Sequence, residues 1–234
     1  MRQHRFRPGV FILTAALLLC ILSACGGMPP ADSMTAPPST PSPSPAAAVV
    51  DAASISRPAV DMLDPSKEFD WLQQVAIPRL ETGTPSANLD NFNADIWEAY
   101  RGPLEKLEAG EEGNELYNIY YESSITNGVV GILVHYAAGW QYSESLYTLD
   151  GYYYDLEADC PITVAEYVAR CGGDWEALQV QAVEGVLGTT DYQDSENVSV
   201  GDAVLFNGQN FQVEVTGIFS MSGYSWTTLY QIEA

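Results

Sequence analysis

The stretch from Leu116 to Arg170 limits the fold more than any other feature: it opens on β-like segments, the first of which alternates apolar and polar residues with a period of two, and it closes on a helical signal. In Leu116–Thr126, Tyr117, Ile119, Tyr121 and Ile125 fall on one face, with Asn118, Glu122, Ser124 and Thr126 on the other. That is the pattern of a half-buried strand. Asn127-Gly128 follows at once, a pair that readily takes the positive φ angles of a two-residue type I′ hairpin. Val129–Ala137 is apolar on both faces and reads as a central strand. Trp140–Thr148 reads as a third strand and Tyr152–Leu156 as a short fourth, with Gly139 and Asp150-Gly151 at the turns between them. The sum is an antiparallel meander.

The flanks add helices and further strands. Phe69–Leu80 reads as a strand closed by Pro78, and Thr84-Pro85 as a helix start. Leu89, Phe92, Ile96, Tyr100, Leu104 and Leu107 recur at three- and four-residue steps, the stripe of an amphipathic helix, which Gly102-Pro103 should break or kink. Thr163 and Glu166 form a capping box, Gly172-Gly173 end that helix, and Asp174 can cap another carrying Trp175, Leu178, Ala182, Val183 and Val186. Ser199–Phe206, Phe211–Phe219 and Tyr224–Ile232 read as closing strands after a polar loop, Gly188–Asn197. The expected fold is α+β, an antiparallel β-sheet meander with two or three helices packed mainly on one face.

The beginning of the chain is an address. Arg2, Arg5 and Arg7 precede the apolar run Val10–Leu22, which is too short for an ordinary spanning helix but suits a signal peptide over 1–24. Its end, Leu22-Ser23-Ala24-Cys25, resembles the lipobox of bacterial lipoproteins. That resemblance implies cleavage before Cys25, a lipid (palmitate) anchor carried by Cys25, and a place on the extracytoplasmic side of a bacterial cell membrane. Residues 25–60 are rich in Pro, Ala, Ser and Thr and read as a disordered tether, extending about 3.1 Å per residue where polyproline-like. A single extracellular domain is expected over 61–234.

Charge narrows the partners. The chain carries −22, and taking away Arg2, Arg5 and Arg7 leaves six basic residues against 31 acidic ones, a net −25. No Lys or Arg follows Arg170. Phosphate contacts need basic clusters, so nucleic acid is excluded as a partner, and adhesion of the domain surface to anionic lipid is disfavoured. Such a field keeps a secreted protein soluble, and it also speeds encounter with a basic protein.

Few residues offer chemistry. His135 is the one histidine after the signal and lies among Ile132, Leu133, Val134 and Tyr136, where a hydrogen-bonded sheet histidine is the ordinary role. No CxxC pair or second histidine supports a zinc site, and Asn91, Asn93 and Asp95 imitate a calcium loop only until Ile96 stands where its glycine belongs. No catalytic residue, metal site or cofactor is therefore expected. Asp150, Asp155, Glu157 and Asp159 cluster near one turn and offer a solvated charge cluster, a weak calcium site or a carboxylate pair for glycan cleavage. Cys160 and Cys171 flank a helix that would hold their Cα atoms about 12 Å apart, beyond the roughly 7 Å a disulfide spans, so two thiols are expected and a disulfide is the alternative. Trp140, Tyr142 and Tyr152 lie beside the turns and are candidate partner-binding aromatics, for sugars or for a protein.

Two stretches carry a resemblance: Ile77-Pro78 with Asn91-Phe92-Asn93-Ala94-Asp95-Ile96, and Tyr154-Asp155-Leu156 leading into Ile162-Thr163-Val164-Ala165-Glu166-Tyr167-Val168. They resemble the uncharacterised extracellular domain family of PdaC-type peptidoglycan deacetylases and RsiV-type anti-sigma factors. The likeness covers about residues 70–187. It departs at Glu157-Ala158-Asp159-Cys160, where the family carries a glycine, and stops before 199–234. It implies a non-enzymatic binding or sensing module, one of whose relatives binds lysozyme. The alternatives are a cell-wall glycan binder, a carboxylate-dependent glycan hydrolase, or a structural scaffold.

Overall fold

The computed structural model describes residues 48–60, 68–110, 115–140 and 146–234, with the side chains of 57–60, 68–72 and Trp140 outside that description. The fold is α+β. Strands β1 (Val49–Val60), β2 (Glu68–Glu81), β3 (Glu115–Thr126), β4 (Val129–Trp140), β5 (Leu146–Asp155) and β6 (Cys160–Pro161) form one sheet in chain order. All neighbours are antiparallel except β2 and β3, which meet in parallel at Gln74↔Asn118 and Val75↔Ile119. Strands β7 (Ser195–Phe206), β8 (Asn210–Phe219) and β9 (Ser225–Glu233) form a second, antiparallel sheet. Helix α1 (Ala87–Glu108) joins β2 to β3, while α2 (Val164–Arg170) and α3 (Trp175–Leu187) join the two sheets.

The alternation decides which element covers which face. Tyr117 and Ile119 of β3, Val130, Ile132 and Val134 of β4 and Tyr154 of β5 point one way and pack against α1 through Leu89, Phe92, Ile96, Tyr100, Leu104 and Leu107. Each such side chain contributes about 1.5–3 kcal/mol when fully buried. This stripe continues on both sides of Gly102-Pro103, so α1 runs through the expected break. Its packing outweighs the roughly 3 kcal/mol an internal proline costs. The helix is capped by Ser86, not Thr84: the Ser86 Oγ accepts the Asn88 and Leu89 N–H groups.

The opposite face is also apolar, as the two-sided pattern of β4 requires. Leu133 and Leu149 meet Ala203 and Leu205 of β7. Val129 and Tyr153 join Tyr167 and Val168 of α2, with Leu178, Ala182 and Val186 of α3 lying over Val204, Phe206, Phe211, Val213 and Val215. The helices are thus divided: α1 on one face of the large sheet, α2 and α3 with the second sheet on the other. Two of the three helices share one face of the large sheet. A strand buried on both sides needs cover on both sides.

Three further boundaries differ from the sequence reading. Strand β1 begins at Val49, inside the stretch expected to be tether, and Val50 and Ile55 pack against the α1-side core. Gly139 and Asp150-Gly151 are not turns but lie within β4 and β5, where Val134 pairs with Asp150 and Leu133 with Gly151. A Cβ at Gly151 would sit 2.3 Å from the Tyr153 hydroxyl and 2.8 Å from the Asp202 carbonyl, so this glycine admits the close passage of β7. The expected loop Gly188–Asn197 gives way to β7 at Ser195, with irregular pairing between Glu196 and Ser199. The tight turn at Asn127-Gly128 is as read, with φ angles of 52° and 76°.

Candidate functional site

The two-residue turn sets the register Thr126↔Val129, and this places Tyr120 opposite His135 on the face away from α1. The next ladder brings Tyr147, paired with Ala137, onto the same face. His135 is 3 % exposed, while Tyr120 and Tyr147 keep 36 % and 38 %. The Tyr120 ring stacks on the imidazole at 4.3 Å and 11°. Nδ1 lies 2.9 Å from the Tyr147 hydroxyl, and Nε2 lies 3.1 Å from Glu122 Oε1.

The hydrogen-bond roles follow from the chemistry of the partners. A carboxylate only accepts, so Nε2–H donates to Glu122 and Nδ1 accepts the Tyr147 O–H. Burial lowers the His135 pKa from its ordinary value, opposed by the Glu122 charge and hydrogen bond. Burial pushes the Tyr147 phenol up to about 12, helped by Tyr120, Glu122 and Glu214. Tyr120 is raised for the same first reason, then by Glu122. A phenol held so firmly protonated is a poor nucleophile at neutral pH. What the arrangement does is hold two half-exposed rings and a carboxylate in fixed positions.

The residues singled out by sequence lie elsewhere. Cys25 and Tyr142 fall outside the described residues, as does the side chain of Trp140. Tyr152 lies on the α1 face and is half-buried, with its hydroxyl 3.1 Å from that of Tyr100, which in turn donates to Asp150 at 2.6 Å. It belongs to a polar chain under α1 and is not an open platform. Cys160, on β6, and Cys171, at the end of α2, are both free thiols. Burial pushes the Cys171 thiol up.

The acidic cluster is dispersed among separate structural tasks. The Asp155 carboxylate accepts the Glu157 and Ala158 N–H groups and pairs with Arg170 at 2.5 Å; these turn hydrogen bonds, led by Ala158, hold its pKa below the ordinary value. Asp159 accepts the Ser86 and Tyr154 hydroxyls at 2.5 and 2.6 Å, tying the start of α1 to the β5–β6 turn, and both bonds hold its pKa down. Among the described residues, no three His, Cys, Asp or Glu side chains are grouped to hold a metal.

A second feature is a cleft of about 290 Å³ between β2 and α1, lined by Arg79, Asp90, Asn93 and Trp97 among others. Asn93 is already committed there: its side-chain oxygen accepts the Leu80 N–H at 2.8 Å and its amide donates to the Leu80 carbonyl at 2.9 Å. This pair of hydrogen bonds to the end of β2 is the physical role of an asparagine in the stretch that carried the family resemblance.

The Tyr120–His135–Glu122–Tyr147 group was not picked out as a site from sequence, although part of its signal was there. With Asn127-Gly128 as a two-residue turn, counting back along the ladder pairs residue 120 with 135 and sets Glu122 one step diagonal to the histidine. Tyr147 was hidden because its strand was cut at Asp150-Gly151.

No protein-family model matches the chain, and no curated protein matches it. Among solved structures, a crystal structure of a member of the DUF3298 family from Bacteroides fragilis is similar at 12 % identity and a TM-score of 0.39, over 81 % of this chain and 90 % of that one.

Proposed function

We propose that this chain is a non-enzymatic, lipid-anchored envelope protein whose domain binds or senses a basic wall-active protein such as lysozyme. The observation that carries this reading is the charge: 31 acidic residues against nine basic, with none of the basic residues beyond Arg170. A surface of that sign attracts a cationic partner and raises its encounter rate. The use of Asp155 and Asp159 as clamps, and of Asp150 as acceptor for Tyr100, also supports binding over carboxylate-dependent hydrolysis. Anchoring at Cys25 rests on its position after the apolar run.

Retention of lysozyme on the immobilised protein at low salt, weakening toward physiological salt, is the expected outcome. No retention at either salt removes the reading. The second reading is a cell-wall glycan binder, favoured by the half-exposed Trp97 beside Arg79 and Asp90 in the cleft at α1. Co-sedimentation with purified peptidoglycan, abolished by Trp97→Ala, would install it instead.

A further inference from the structure

The cluster around His135 is built more firmly than a surface aromatic patch needs to be. Surface tyrosines ordinarily sample several rotamers, and ordering one on binding costs free energy. Here both rings are ordered in advance. The imidazole is almost wholly buried, takes Tyr120 against its face, holds the Tyr147 hydroxyl with one nitrogen and the Glu122 carboxylate with the other. The Glu122 side chain nonetheless keeps 43 % exposure, so its carboxylate presents a free side to solvent. Glu214 adds negative field at Tyr147. Two π-faces and a carboxylate held within one patch are the elements that recognise an organic cation.

We infer that the Tyr120–Tyr147 ledge, with Glu122 at its side, receives a cationic side chain of the protein partner, arginine above all. The occupant is argued from charge and shape. A planar guanidinium stacks on an aromatic ring while its N–H groups reach a carboxylate, which an ammonium does less well. The chain is acidic overall and has no Lys or Arg after Arg170 to compete from that end. His135 is a positioning residue in this scheme: buried and bonded at both nitrogens, it sets the rings without touching the guest. The inference rests on the reading of a basic protein partner and names the part of the surface that meets it.

His135 also supplies the reporter, because the only other histidine, His4, lies in the signal stretch and is absent from the processed chain. Processed protein is titrated with N-acetyl-arginine methylamide, and separately with chitotriose, while the two imidazole C–H proton resonances are followed. Saturable shifts with the arginine probe are expected, and none with chitotriose. Tyr120→Ala and Tyr147→Ala should each weaken the arginine probe about two- to fivefold, the range for an exposed cation–π contact. Glu122→Gln, which keeps shape and hydrogen bonding, should weaken it too, and the lysine analogue should bind less well than the arginine one. An unshifted imidazole with the arginine probe overturns the inference, and so do shifts with chitotriose alone. If lysozyme is retained on the column but Tyr120→Ala and Glu122→Gln leave its retention unchanged, this surface is wrong while the broader reading stands. If the arginine probe binds and lysozyme does not, the ledge stands and lysozyme falls as the partner.

Discussion

Gly131 is the point at which the two halves of the domain are fitted together. It lies in β4 opposite Tyr153, and a Cβ there would fall 2.5 Å from the Tyr167 hydroxyl and 2.6 Å from its ring carbon Cζ. That ring stacks on Tyr153 at 4.6 Å, and its hydroxyl accepts the Phe206 N–H at 3.1 Å. Tyr153 in turn donates to the Asp202 carbonyl at 2.7 Å and accepts the Val204 N–H at 2.7 Å. Two tyrosines therefore pin β7 to the rear of the large sheet, and Gly131→Ala drives a methyl into the first of them. Overpacking a tight core costs about 1–3 kcal/mol, and leaving the buried Phe206 N–H without its acceptor adds about 1–3 kcal/mol. The expected loss is about 2–6 kcal/mol, a fall in Tm on the order of 4–24 °C for a domain of this size. Urea and thermal denaturation followed by circular dichroism measure it, with an unchanged m-value as the check that the denatured state is the same. Tyr167→Phe isolates the hydrogen bond and should cost about 1–3 kcal/mol. A Gly131→Ala protein within about 0.5 kcal/mol of the parent, the spread of harmless surface changes, would refute the reasoning, because Tyr167 would then be free to move aside.

Asn93→Ala should cost about 1–3 kcal/mol, since it strips both partners from the Leu80 backbone at the end of β2; a neutral result in the same melt would mean water replaces the amide. His135, with its pKa lowered by burial from 6.5, contributes stability that is present above that value and lost as pH falls through the lower native one, because the unfolded chain takes the proton first. Tm should therefore drop as the pH falls below about 6.5, and His135→Gln should flatten that slope; a Tm rising as the pH falls there would mean that the Glu122 charge outweighs burial. Without reductant, iodoacetamide should label Cys160 before Cys171 in peptide maps of native protein, because Cys171 is buried with its thiol pushed up and Cys160 is half-buried; equal rates, or a linked Cys160–Cys171 peptide, would contradict this.

What the chain declares by itself is local and periodic. The alternation from Leu116, the Asn127-Gly128 turn and the Thr163–Glu166 capping box were legible because each depends on neighbours a few residues away. The stripe from Leu89 to Leu107 announced α1, and the acidic excess is a property of composition alone. What only the tertiary structure decided turns on partners distant in sequence. Gly151 looks like a turn until β7 is seen to pass over it, and Gly102-Pro103 looks like a break until the core on both sides of it is counted. Asp155 and Asp159 look like a catalytic pair until Arg170, Ser86 and Tyr154 claim them. The ledge at His135 belongs to this second kind: its members come from three strands, and burial, which no periodicity reports, makes one of them a clamp and leaves the others open to solvent.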